Sequence, residues 1–292
     1  MIAVKLMGGL GNQMFQYAVA RAHSKKVTID FSFLQQHTAS SETFTSRNFG
    51  LDIFPNIVYT PIKNWQRVLY LNEPRFRFAE RIKRWLGLNC KLIRQYKNEL
   101  VLVKPEKNLY FDGYFQSEKY FSNIRTELLH EFSFPSLDEK NSHWKQQILN
   151  DPNAVSVHIR RGDYLKPAVL EYHGLISQRY YMQSMEELKT TYPDATWYIF
   201  SDDPVSAREL FQNIPSCYFV EGNNQDAWKD MALMAACKHH IIANSSFSWW
   251  GAWLSNQVGI TIAPKNWFNP AKAKFNIHDF VPAHWHIRSC DV

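Results

Sequence analysis

Residues 154–164, AVSVHIRRGDY, decide the fold. Five of the first six, all but His158, are small, apolar or β-branched, and the run reads as a buried strand. Two arginines then stand where the strand gives way to a loop. The same grammar repeats downstream. Strand TWYIF runs into Asp202-Asp203-Pro204 and a helix to Phe211. Strand CYFV precedes a helix over Asp226–Cys237. Strand HIIA runs into Asn244-Ser245-Ser246 and a short helix around Trp249–Leu254, and GITIA closes the series. A further helix over Gln178–Tyr192 separates the first two strands. Five strands alternating with helices predict a parallel, doubly wound sheet. Ligands of such sheets sit beyond the carboxyl ends of the strands.

Upstream, Ile2–Leu6 reads as a strand, Gly8-Gly9-Leu10-Gly11 as a turn, and the residues from Asn12 to Lys26 as a helix with Asn12 as its N-cap. VTIDF then reads as a second strand, completing a βαβ unit. Helices are expected over Ile62–Leu71, Pro74–Leu86 and Glu118–Glu131, with a strand over Asn108–Phe115. The turn-rich segment Pro135–Pro152 places the expected boundary at residue 150. This gives an N-terminal α/β domain over 1–150 and a C-terminal Rossmann-like domain over 151–292, the two facing each other across a cleft.

Polar motifs fall at strand ends: GGLGNQ in the first domain, then RRGDY, SDDP and NSSFSWW in the second. An arginine fork suits phosphate oxygens. Arg160 and Arg161 therefore point to a diphosphate, with one of them also able to pair with Asp163. Ser245 and Ser246 precede a helix and read either as a cap or as anion donors. Asp202-Asp203 reads first as an N-cap with Pro204 at N1. Its alternative reading is an acceptor for the donor edge of guanine. Gly9-Leu10-Gly11 begins a dinucleotide fingerprint, but Met14 occupies the third glycine position. Asp30 would serve as the ribose acid, so a nicotinamide dehydrogenase is the runner-up, with no use for RRGDY or NSSFSWW. His239-His240 and His284-Trp285-His286 lack partners at ligand spacing, and no metal site is expected.

The chain of 292 residues carries a net charge of +6. Residues 65–97 hold nine Lys/Arg and two acids, or +7, leaving −1 elsewhere. Aromatics alternate with these cations. The segment reads first as a solvated helix face with its aromatics in the core. An anionic membrane face comes second, and nucleic acid is not expected. No signal peptide precedes IAVKLM and no run approaches the ~18 apolar residues of a membrane span. The four dispersed cysteines form no CxxC, which suits a reduced, cytoplasmic setting, peripheral at most to a membrane. Asn244-Ser245-Ser246 also fits a glycosylation acceptor.

GGLGNQMFQYA (Gly8–Ala18), GYFQSEKYF (Gly113–Phe121), VHIRRGDY (Val157–Tyr164), FSDD (Phe200–Asp203), DMALM (Asp230–Met234) and NSSFSWWGAWL (Asn244–Leu254) together resemble the motif set of the bacterial α-1,2-fucosyltransferases, glycosyltransferase family 11. The resemblance implies a GT-B-like fold with GDP-β-L-fucose held mainly by the C-terminal domain. It implies inverting transfer, without a metal or other cofactor, to the 2-hydroxyl of a β-galactoside in surface polysaccharide synthesis. A lipid-linked acceptor would give the basic segment a purpose at the inner membrane face. By resemblance, Arg160 contacts the diphosphate, His158 and Asp202-Asp203 lie near the guanosine, Ser245 and Ser246 lie on the phosphate side, and Asn12 faces the reacting centre. Arg160, Asp163 and His158 are the expected catalytic residues. Gly9, Gly11, Arg161, Asp230 and Phe247 join the expected binding set. Asp163, Glu171 and His173 stand as candidate bases. Another donor or linkage is the alternative within this chemistry.

Overall fold

The computed structural model describes residues 1–41, 45–71, 77–95, 98–162 and 166–290, without the side chains of 77–80. The described residues form two compact units. One covers residues 1–40 and 46–133, and the other is built mainly of residues 134–292.

The first unit holds a parallel sheet in the order β3-β2-β1-β5-β4. Its strands are β1 (Ile2–Lys5), β2 (Val27–Asp30), β3 (Tyr59–Pro61), β4 (Lys91–Arg94) and β5 (Leu109–Asp112). The Leu10–Arg21 helix crosses from β1 to β2 as the βαβ reading requires. Its N-cap is Gly9 rather than Asn12, because Gly8 at φ +74° turns the chain early. A Cβ on Gly8 would lie 2.5 Å from Asn12 Nδ2, so both the left-handed turn and the close approach demand glycine. Gln13 is not a surface polar residue. It is fully buried, donating to the Gly8 and Asn48 carbonyls at 2.9 and 2.8 Å and accepting from Gly50 N–H.

The second unit holds six parallel strands in the order β11-β10-β9-β6-β7-β8, two Rossmann-like sheets in one chain being the GT-B pattern. They are β6 (Ala154–Ile159), β7 (Thr196–Ser201), β8 (Cys217–Val220), β9 (His239–Ile241), β10 (Thr261–Pro264) and β11 (His286–Arg288). The core is largely aromatic: Trp197, Trp249 and Trp250 are fully buried. Trp249 stacks on Trp253 at 5.9 Å and donates its indole N–H to the Phe280 carbonyl at 2.8 Å. These tryptophans fill a core and are not sugar platforms. His239 and His240 spend a ring nitrogen each inside the sheet, His239 Nδ1 accepting the Ile260 N–H at 3.0 Å and His240 Nδ1 facing Ser156 Oγ at 2.8 Å.

Three strands escaped the sequence reading: β3, β4 and β11. All lie on sheet edges, where one side of the strand meets water and the apolar pattern fades. KLIR of β4 buries only Ile93. The expected helix over Glu118–Glu131 is two 3₁₀ turns, Glu118–Tyr120 and Ser122–Ile124, followed by a helix over Arg125–Glu131. The units divide after residue 133, earlier than expected. The Glu139–Asn150 helix packs against the Trp228–Ala236 helix and so belongs to the second unit.

In the basic segment, Trp65 is 58% and Trp85 82% exposed, so these aromatics do not serve the core. Among the described residues, no helix is long and apolar enough to cross a membrane.

Candidate active site

Parallel register builds the site. His158 pairs with Phe200 and Ile159 with Ser201, so the next residues, Arg160 and Asp202, emerge side by side at the carboxyl ends of β6 and β7. Arg160 Nη1 lies 3.0 Å from Asp202 Oδ2, and the Arg161 backbone N–H donates to Oδ1 at 2.9 Å. One carboxylate thus fixes both the guanidinium and the turn that carries it. Asp203 is the N-cap that its place before Pro204 predicts. It caps the Pro204–Phe211 helix, accepting from Ser206 N–H at 3.2 Å and Ser206 Oγ at 2.6 Å. Those bonds hold its carboxyl below the usual range. Neither aspartate of the pair therefore offers a carboxylate untouched by protein donors.

His158 is buried one residue inside the strand end. Burial, and then the nearby Arg160 charge, push its imidazole down to about 3. It is neutral at ordinary pH and ill suited to shuttle protons. Its Nδ1 is buried without a hydrogen-bond partner among the described residues, a costly state that a polar ligand atom would relieve. Its ring packs 5.7 Å from that of Phe247. The HIRR and NSSF motifs therefore meet across the neighbouring strands β6 and β9.

Ser245 is the N-cap of the Ser246–Trp253 helix, its Oγ accepting from Phe247 N–H at 3.3 Å. Ser246 and Phe247 are half-buried at the helix start. Asn244 is buried and donates to the His173 carbonyl at 3.0 Å, so it does not present an acceptor amide for a glycan.

Asp230, in the first turn of the Trp228–Ala236 helix, behaves differently from the Asp202-Asp203 pair. Burial raises its carboxyl to about 6. Asn223 donates to it at 2.7 Å, and Asn223 and Asn141 exchange amide hydrogen bonds at 3.0 and 2.9 Å. That Asn–Asn–Asp chain carried no sequence signal, because its members come from three separate segments.

Among the candidate bases, Glu171 is exposed and paired with Lys272, which holds its carboxyl low. The His173 ring packs against Tyr172 and Phe268 at 5.2 and 5.4 Å. Asp163 lies outside the described residues. In the first unit, Gly9 and Gly11 sit at the start of the Leu10–Arg21 helix, and Asn12 Oδ1 accepts from Gln116 Nε2 at 2.6 Å.

Over residues 1–287 the sequence matches the family model "Glycosyl transferase family 11". The chain belongs to glycosyltransferase family 11. It is 34% identical to an α-1,2-colitosyltransferase of Escherichia coli, the alignment covering 97% of each chain. It is 31% identical to the O-antigen biosynthesis glycosyltransferase WbnK of Escherichia coli, over 90% of this chain and 93% of that one. It is 24% identical to the galactoside 2-alpha-L-fucosyltransferase Sec1 of Mus musculus, over 92% of this chain and 68% of that one.

In this family 11 chain, the sequence reading passed over Gly162. A Cβ there would lie 2.4 Å from Asp202 Oδ2, inside the space the carboxylate occupies beside Arg160. Gly162→Ala must push Asp202 aside and leave Arg160 without its brace. The expected loss is about 1.5 kcal/mol, roughly tenfold in kcat/KM for the donor. Steady-state kinetics check it, and unchanged kcat/KM contradicts the brace.

Proposed function

We propose that the chain moves L-fucose from GDP-β-L-fucose to the 2-hydroxyl of a β-galactoside, with inversion, within surface polysaccharide synthesis. One observation carries the reading: a guanidinium braced by Asp202, beside a buried neutral His158 and the Ser246–Trp253 helix start, at the carboxyl ends of β6, β7 and β9. The similarity to the Sec1 fucosyltransferase supports the donor sugar and linkage.

In the proposed step the acceptor oxygen attacks the anomeric carbon opposite the phosphate. The C–O bond to the diphosphate breaks and its electron pair stays on GDP. Arg160 neutralises the charge as it develops, helped by N–H groups and the Ser246 hydroxyl at the helix start. These fixed donors do what a divalent metal does elsewhere. Turnover should therefore persist in EDTA, and complete inhibition reversed by Mn²⁺ contradicts this role for the fixed donors. Glu171, tied to Lys272, is a weakened base, which favours Asp163 as proton acceptor. Asp230 is proposed to read guanine, whose N1–H and 2-amino group would add two donors to the one Asn223 amide that its Oδ1 already accepts. Asp202 braces Arg160 in place of that role.

A second reading is favoured by the 34% identity to the colitosyltransferase. Colitose is L-fucose without its 3-hydroxyl, so the two donors differ by one hydrogen-bonding group. A site built to hold that hydroxyl rejects the deoxy sugar by roughly 10⁴-fold. Parallel kcat/KM measurements with GDP-fucose and GDP-colitose decide. Preference for GDP-colitose overturns the fucosyl assignment and keeps the rest.

A peripheral membrane role is also proposed. Trp65 and Val68 are exposed on the Asn64–Leu71 helix, and Trp85 and Leu86 are exposed next in sequence to Arg81, Lys83 and Arg84. Such a mixture of apolar and basic side chains suits an anionic interface. Co-sedimentation with phosphatidylglycerol vesicles should fall when Lys83 and Arg84 become Gln, and unchanged binding overturns the idea.

A further inference from the structure

The first unit contains a cavity of about 260 Å³ near the carboxyl ends of its strands. Register explains its lining. Lys5 pairs with Asp30 across β1 and β2, and Arg94 pairs with Asp112 across β4 and β5. Because β1 pairs with β5 up to Val4 and Phe111, Lys5 and Asp112 are the next partners. The row Asp30, Lys5, Asp112, Arg94 thus alternates in charge across four neighbouring strands on one face of the sheet. The Asn64–Leu71 helix adds Arg67.

The two carboxylates of this row are not equivalent. Asp30 is consumed inside the protein. It accepts from the Tyr110 hydroxyl at 2.7 Å and the Ser32 N–H at 2.8 Å, and Arg67 Nε stands 3.3 Å away. Asp30 does not line the cavity, whereas Lys5, Arg67, Arg94 and Asp112 do. With Lys5 paired to Asp112 at 2.7 Å and Arg67 to Asp30, the three cations and two carboxylates at this end of the sheet still sum to +1. Half-buried charges of this kind are poor stabilisers, and apolar replacements are often neutral or better. Three of them, Lys5, Arg67 and Asp112, with the exposed Arg94, around an open cavity at the ligand-binding end of a parallel sheet are better explained by a ligand. Arg67 and Arg94 also belong to the basic segment of residues 65–97, so part of that charge faces the cavity.

We propose that this cavity binds a phosphate-bearing anion, and that its ligand is the diphosphate through which a glycan acceptor is joined to its carrier. Lysine and arginine donors match phosphate oxygens, and Ser32 and Gln36 add polar lining. The acceptor part rests on the galactoside-transfer reading above; the anion part does not.

Two arms test it. In the first, sodium pyrophosphate is titrated calorimetrically into protein saturated with GDP, so that the donor site is filled. Binding is expected, and Arg94→Gln or Lys5→Gln should weaken it roughly tenfold or more, the loss of one charge-assisted bond. Arg94 is exposed, so its variant should keep its thermal melt. No binding to the wild type, or equal binding to folded Arg94→Gln, overturns the site. In the second arm, KM is compared for a β-galactoside as free sugar and as its glycosyl diphosphate. The wild type should favour the diphosphate about tenfold, and Arg94→Gln should bring the ratio near one. The ratio is internal to each variant, so partial misfolding cancels. A wild-type ratio of one overturns the acceptor assignment. Failure to transfer fucose to either acceptor is instead the failure of the donor reading, and the pyrophosphate titration then decides the cavity alone.

Discussion

Arg160→Ala is expected to lower turnover roughly 10²–10³-fold, or about 3–4 kcal/mol of transition-state stabilisation, while the chain stays folded. The size follows from what the guanidinium meets. In the proposed reaction, charge on the leaving diphosphate grows as the sugar–phosphate bond breaks, and a donor already aimed at it would need no reorganisation. Asp202 supplies that aim, at 3.0 Å from Nη1. The fold should tolerate the change, because the Arg160 and Asp202 side chains are 20% and 24% exposed and such partly solvated pairs contribute ~1 kcal/mol or less. Single-turnover kinetics beside a thermal melt separate the two effects. Near-normal turnover in a folded variant removes Arg160 from the mechanism.

Acid is the second large lever, acting on stability. His158 and His240 are buried and pushed down to about 3, chiefly by burial. Their unfolded values lie near 6.5. Between about 3 and 6.5 the unfolded chain binds protons that the native chain refuses, so stability falls as pH falls through that window. At pH 4.5 each histidine costs roughly 2.5 kcal/mol relative to pH 7, about 5 for the pair. Asp230 opposes them. Its carboxyl is raised to about 6, so the native state takes up its proton first and gains about 2 kcal/mol over the same interval. For these three groups the expectation is a loss of about 3 kcal/mol, which His239, pushed down to about 4, deepens. Urea unfolding followed by tryptophan fluorescence measures it in the second unit, where Trp197, Trp249 and Trp250 are buried. Equal stability at the two pH values contradicts the buried, neutral histidines.

The sequence carried the interior of both sheets well. Strands such as AVSVHI are buried along their whole length, and their apolar runs announce them. It carried the edges poorly, since β3, β4 and β11 are short and half-wet. The motifs were legible as motifs, but their internal division of labour was not. SDDP contains one cap and one brace, and only register reveals that Asp202 stands beside Arg160. Gln13 follows Asn12 in GGLGNQ, yet it is spent on three backbone groups that no local pattern predicts. Asp230 sits in a motif quoted for its resemblance alone. Its distinction, a carboxyl pushed up beside Asn223, depends on residues brought together by folding.

The most direct test of the account is the product itself. Purified protein is incubated with GDP-β-L-fucose and a panel of β-galactosides, and linkage and anomeric configuration are read by NMR. The expected product carries an α-linked fucose on the galactose 2-hydroxyl. A β-linked product, attachment at another hydroxyl, or transfer that requires a different nucleotide sugar contradicts it.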